Sequence, residues 1–151
     1  VSKLNIKSYS QLEKVLKEKV EKAMKNEVAK KTKEVVQKNV EDVVYSVGEP
    51  TVYERRNLTN GSLGDMEEMK HEYKDGVLEV TNEADYNPKF SSDGINDESL
   101  AYNIEYGYGS RDRWYNEPRP FIEESRNDLR NGEFKDSLAE GLTKQGLKVK
   151  K

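Results

Sequence analysis

Residues 10–46 read SQLEKVLKEKVEKAMKNEVAKKTKEVVQKNVEDVVYS, and the spacing of their apolar positions decides the fold. From Leu12 through Val15, Leu16, Val20, Ala23, Met24 and Val28 to Val35, Val36, Val40, Val43 and Val44, these positions recur mostly at intervals of three and four. Polar residues fill the gaps, which is the pattern of an amphipathic helix with one stripe to bury. Ser10-Gln11-Leu12-Glu13 fits a capping box at its start. Gly48 and Pro50 are the first residues that would stop it. A helix over 10–46 would run ~55 Å at about 1.5 Å per residue, longer than one small sheet can cover. Valines lower the helical propensity of its second half, and a break near Lys30 to Lys33 would turn it into two helices in line. The spacing keeps no strict heptad for long, so packing against a sheet is expected in preference to a coiled coil.

Outward from this helix the character changes. Tyr53-Glu54-Arg55-Arg56 leads into a polar run from Asn57 to Asp65, read as an exposed loop. Met66 to Tyr73 and Val77 to Glu83 alternate as two strands joined at Lys74-Asp75-Gly76, where Asp-Gly supplies the positive φ of a tight hairpin turn. Met69, His71 and Tyr73 should lie near Leu78 and Val80 on one face, with Glu, Lys and Thr at most other positions and the long helix as cover. Residues 85–98 read as a second long loop. Leu100 to Tyr106 suits either a short helix or a strand, ended by Gly107 and Gly109. Pro118-Arg119-Pro120 introduces a helix over 121–130, and Gly132 separates it from a last helix over 133–142. The expectation is one α+β domain over 1–151, a long amphipathic helix on a small antiparallel sheet with C-terminal helices, and flexible ends at about 1–9 and 144–151.

Composition narrows the function classes. With 33% apolar and 36% charged residues, the core must be thin for 151 residues, which favours a partner surface. There is no cysteine, so disulfides, thiol nucleophiles and cysteine-based metal sites are excluded. No window approaches the roughly 18 consecutive apolar residues of a membrane span, and Val1 to Ser10 lacks the pattern of an export signal. The net charge of −3 is uneven: residues 1–40 carry eleven Lys against five Glu, about +6, and the remainder about −9. Such asymmetry can orient subunits against one another. The basic part has Lys without Arg clusters or interleaved aromatics, so specific nucleic-acid binding is not expected.

An active site is not expected either. His71 is the single histidine and lies within a strand, and no phosphate loop, nucleophile elbow or His-based zinc spacing occurs. Asp65 with Glu67 and Glu68, or Asp97 with Glu98, could hold a divalent cation in principle, but such neighbours arise by chance among 29 acidic residues. The chain is therefore read as no enzyme, with no cofactor. The unusual patch is 102–121, which holds Tyr102, Tyr106, Tyr108, Trp114, Tyr115 and Phe121 beside Arg111, Arg113 and Arg119. Tyr, Trp and Arg dominate interface hot spots, so a docking surface is expected there. The alternative for Tyr102, Ile104 and Phe121 is that they fill the core.

At this patch the chain resembles the head-to-tail joining, or tail-completion, proteins of long-tailed bacteriophages. The resemblance rests on four short segments in order: Tyr53-Glu54-Arg55-Arg56 with Asn60-Gly61-Ser62-Leu63, the β-hairpin, Ala101 to Gly107, and Arg119-Pro120-Phe121-Ile122. It departs from the family pattern at Tyr108-Gly109, where a small residue or Thr commonly follows the glycine, and in the long acidic loop after Ala84. The resemblance implies a minor tail or neck component, a virion structural protein formed in the host cytoplasm and then carried at the head–tail interface. It also implies a homo-oligomeric ring of about six copies, a hexamer, through which DNA passes without specific binding. The partners implied are other neck and tail proteins. The expected interface residues are Arg55, Arg56, Tyr106, Tyr108, Arg111, Arg113, Trp114 and Arg119, the last with a second reading as a staple for the C-terminal helix. Two other readings stand beside this one. The chain could be a tail terminator or another neck component, or a small dimeric regulatory protein that pairs through its long helix.

Overall fold

In a computed structural model, the described residues are 6–46, 61–84, 100–110 and 114–150. The long helix is present over 9–45, as α1 (Tyr9–Ala23) and α2 (Ala29–Asn39) linked by a π-helical turn, Met24–Val28, and ended by another, Val40–Tyr45. The backbone stays helical through Lys30 to Lys33, so the chain forms one rod, and its departures from α geometry fall at the two π turns instead. The cap is Ser8, two residues before the expected box. Its Oγ accepts from the N–H of Gln11 at 3.3 Å, while Gln11 Oε1 accepts from the N–H of Lys7 at 2.9 Å. Ser8 and Gln11 have the same three-residue spacing as Ser10 and Glu13, and the earlier pair gains one more half-turn of helix.

The C-terminal helices supply the rod's main cover. α4 (Phe121–Asp128) continues through a π-helical turn, Leu129–Glu133, into α5 (Phe134–Lys144), with a kink at Gly132, whose φ of 141° favours glycine. This run lies antiparallel to the rod along much of its length: Arg119 meets Val44, Asn39 meets Asp128, Lys31 meets Glu133, Ala23 meets Gly141, and Lys19 meets Gln145. The first hairpin packs against the rod as expected, and the C-terminal run covers more of its length for a simple reason. Two short strands offer few apolar side chains, whereas Phe121, Ala139 and the bare Gly141 allow close helix packing. At Gly141 an added Cβ would stand 2.7 Å from the Ala23 Cβ, so the two backbones approach as closely as they do only because both residues are small.

The first hairpin pairs β1 (Met69–Lys74) with β2 (Val77–Asn82), with Tyr73 opposite Leu78 and His71 opposite Val80. Asp75 and Gly76 both take positive φ, as a two-residue turn requires. Met69 is buried, and Tyr73, Leu78 and Val80 are half-buried, while Lys70, Glu72, Glu79 and Thr81 face solvent. His71 is exposed as well. The hairpin leans on the middle of the rod, where Lys25 Nζ sits 5.9 Å from the Tyr73 ring centre. Together with α3 (Leu100–Tyr106) and a second hairpin, β3 (Tyr108–Ser110) with β4 (Trp114–Asn116), these elements make an α+β fold.

One expected loop and one expected free end have more structure than their composition suggested, while the second expected loop, 85–98, lies outside the described residues. In the polar run before the first hairpin, Ser62 and Leu63 are buried, and Gln37 Nε2 donates to the Gly64 carbonyl at 2.7 Å. At the C-terminus the tail expected to come free at Lys144 is tied for three more residues. The N–H of Leu147 returns to the Leu142 carbonyl at 3.1 Å past Gly146, and Gln145 Nε2 donates to the Lys19 carbonyl at 2.8 Å.

Candidate functional site

The C-terminal end of the rod gathers the largest apolar cluster described: Val40, Val44, Leu63, Ala84, Ala101 and Phe121. Each comes from a different stretch of chain except the two valines, and Phe121 is completely buried. Polar groups then lock the stretches together. The side chain of Asn82 donates to the Leu63 carbonyl at 2.7 Å and accepts from the Ala84 N–H at 3.1 Å, which fixes the end of the first hairpin beside the Gly61-Ser62-Leu63 turn. Within that turn Asp65 accepts from the N–H groups of Gly61 and Glu67 at 2.9 and 3.0 Å. These two backbone bonds hold its carboxyl below the ordinary aspartate range.

The junction of α3 and α4 is held by a carboxylate. Glu105 is buried, and its two oxygens accept from the N–H groups of Ile122 and Glu123 at 2.8 and 3.1 Å. Free amides at a helix start need acceptors, and an anion is favoured there by the helix dipole. Arg119 sits one step upstream. Its N–H donates to the Ile104 carbonyl at 2.9 Å, and its guanidinium Nη1 donates to the Val44 carbonyl at 3.2 Å, satisfying a free carbonyl at the end of the rod. The half-buried Arg119 thus staples the long helix to the start of α4, which is the second of the two roles expected for it.

Outside this seam lies an aromatic surface. Tyr102 and Tyr106 sit one turn apart on α3, 46% and 60% exposed, with ring centres 4.7 Å apart and planes inclined at 49°. Tyr102 therefore does not fill the core, whereas Phe121 does and Ile104 is half-buried. Tyr108 and Trp114 fall in β3 and β4, with Tyr108 opposite Asn116 and Trp114 opposite Ser110. Arg55, Arg56, Arg111 and Arg113 lie outside the described residues. Of the eight expected interface residues, Tyr106 and Arg119 are thus placed on α3 and at the start of α4, and Tyr108 and Trp114 in the second hairpin. Sequence reasoning missed the clamp by Glu105, although the Glu stood in a quoted segment four residues after Ala101, the spacing that puts both on one helix face.

Among the described residues, no group of three or more His, Cys, Asp or Glu is placed to hold a metal, and no helix is long and apolar enough to cross a membrane. No curated protein and no solved structure matches the chain. One family model does, that of YomN, and it spans residues 8–144, from the Ser8 cap to the last residue of α5. The match covers the rod, both hairpins and the clamped α3–α4 junction together, and the chain belongs to the YomN family.

Proposed function

We propose that this chain is a structural assembly protein of a long-tailed bacteriophage, without catalytic activity, that joins the head and neck to the tail tube as one copy in a hexameric ring. The observation that supports this reading is the convergence of three resembling segments, as far as they are described, beside the end of the first hairpin. Leu63, Ala84, Ala101 and Phe121 pack in one cluster, and Glu105 and Arg119 close it. Short segments scattered over the chain need not meet. Their meeting is what a shared fold requires, and it supports carrying the role of the phage head-to-tail joining proteins that the chain resembles over to it as a proposal.

In this reading the β3–β4 hairpin, which follows α3 in the chain, is the contact with the neck or tail partner. The protein forms in the host cytoplasm and ends in the virion, with DNA passing through the ring. Electron microscopy of an induced lysate lacking the gene tests this. DNA-filled heads separated from complete tails are the expected outcome. Intact particles overturn the joining role, and heads with abnormally long tails replace it with tail termination. The helix-paired dimer keeps one observation in its favour, the bare apolar residues at the start of α1.

A further inference from the structure

The two halves of the C-terminal run are held with unequal strength. α4 is anchored by Phe121, which is completely buried, and by the amides of Ile122 and Glu123 on Glu105. α5 packs chiefly on α1 and on the Met24–Val28 turn, and its buried residues are Ser137, Ala139 and Gly141. Three small residues remove little apolar surface from water, so the hold rests on the closeness of the two backbones. The bulkiest residue of α5 contributes little, since Phe134 is 41% exposed, and Leu138 and Leu142 are only half-buried. The ion pairs along the seam, Lys31 to Glu133 at 3.7 Å and Lys144 to Glu27 at 3.5 Å, reach solvent and add little.

Between the halves lies Gly132. The Leu129–Glu133 turn buries no residue, and Gly132, with φ of 141° and ψ of −25°, is its one residue outside helical geometry. An added Cβ there meets nothing within 4 Å, so conformation and not space reserves the position for glycine. Glycine takes a positive φ and a helical φ with similar ease. A helical φ of about −63° at Gly132 would turn everything beyond it through roughly 150° about one bond and make 121–144 a single helix about 36 Å long. That turn lifts the face carrying Ser137 and Gly141 off the rod of its own chain and leaves α4 in the cluster.

We propose that α5 is an exchangeable arm hinged at Gly132, which docks on the rod of its own chain in the free protein and on the rod of a second copy in an assembly. The occupant is named by contacts already present. The strip of rod that the arm leaves bare offers the Lys19 carbonyl, the small Ala23 and the Glu27 carboxylate, and Gln145, Gly141 and Lys144 match them one by one. The hinge changes which chain supplies the arm and keeps the contacts as they are. Two copies that trade arms close as a pair, and copies that each pass the arm onward close as a ring. The inference goes beyond the joining role and does not rest on it.

Two wedges and their mixture provide the test. Gly141→Leu spoils the arm, because an added Cβ would stand 2.7 Å from that of Ala23. Ala23→Leu spoils the rod's side of the same contact and leaves the arm sound. Each variant alone sediments as a monomer, and its α5 amides exchange with solvent hydrogen about tenfold faster than in wild type, or more, while those of α4 keep their protection. Mixed in equal amounts at about 1 mM, where even a millimolar contact is populated, they form one-to-one dimers, the sound arm of the Ala23→Leu chain on the sound rod of the Gly141→Leu chain. Protection then returns to α5 of the Ala23→Leu chain only. A mixture that stays monomeric overturns the proposal, as does protection returning to neither arm or to both, or either variant alone keeping α5 as protected as in wild type. Gly132→Ala tests the hinge without a wedge. Alanine disfavours the closed φ, so more of this variant is dimeric than of wild type at equal concentration, with α5 protected. A Gly132→Ala chain that stays monomeric overturns the hinge. A failed exchange leaves the lysate experiment to decide the joining role on its own.

Discussion

The two ends of the long helix carry apolar residues at the same intervals and meet opposite fates. Val40 and Val44 are buried under Phe121, Leu63 and Ala101, with Arg119 closing a carbonyl at the helix end. Leu12 and Leu16, spaced by the same four residues, remain more than a third exposed. Nothing in the local pattern distinguishes them. What differs is whether another segment returns: the C-terminal run comes back to Val44 and along to Lys19, and stops there. An apolar stripe identifies the face that seeks cover, and the cover may belong to the same chain or to another.

Stability measurements by urea denaturation would break this contrast if it were false. Phe121→Ala at the sealed end should cost about 3–5 kcal/mol, since it empties a fully buried site at the centre of the cluster. A loss below about 1 kcal/mol would mean that the cluster does not hold that end. Glu105→Ala should cost about 2 kcal/mol, because two amides at the start of α4 lose their acceptor in a buried setting.

Asp65→Asn should cost about 1 kcal/mol at neutral pH, the worth of one backbone hydrogen bond. Here the sign is set by the carboxyl's lowered pKa. A group whose pKa falls on folding stabilises the fold above its unfolded value, and that contribution is lost as pH drops through the folded value. The gap between wild type and Asp65→Asn should therefore close below the ordinary aspartate range of about 4, and a gap that widened in acid would refute the assignment. The smallest effect belongs to the bare end, where Leu16→Ala should change dilute monomer stability by less than about 0.5 kcal/mol. A larger loss would show that the tip has a partner within its own chain.

Much of the fold was legible in residue spacing. The three-and-four rhythm placed the rod to within one residue at each end, and Asp75-Gly76 placed the first hairpin together with its register. Periodicity could not say what the rod packs against, because a helix and a sheet answer the same stripe. Nor could it separate Ser8 from Ser10 as the cap, since both precede a Gln or Glu by three. Leu63 was hidden inside a polar run, where composition pointed to solvent but one leucine reached the core. For the candidate site, the aromatic character of Tyr106 was plain, whereas the Glu105 clamp depends on α4 arriving opposite α3, a tertiary fact with no local trace.

The close contact of Ala23 with Gly141 also has a mechanical meaning. The seam between the rod and the C-terminal run is antiparallel, tied at Lys19–Gln145 and at Lys31–Glu133, with the two backbones nearly touching between. A force drawn along the rod from its projecting tip therefore loads this seam in shear, so that its contacts resist together. A force across the tip would peel them one by one. Held in this way, the long helix is a strut with a gripped shaft and a free end, stiff along its axis and able to pass a pull at Leu12 to the closed cluster at Val44.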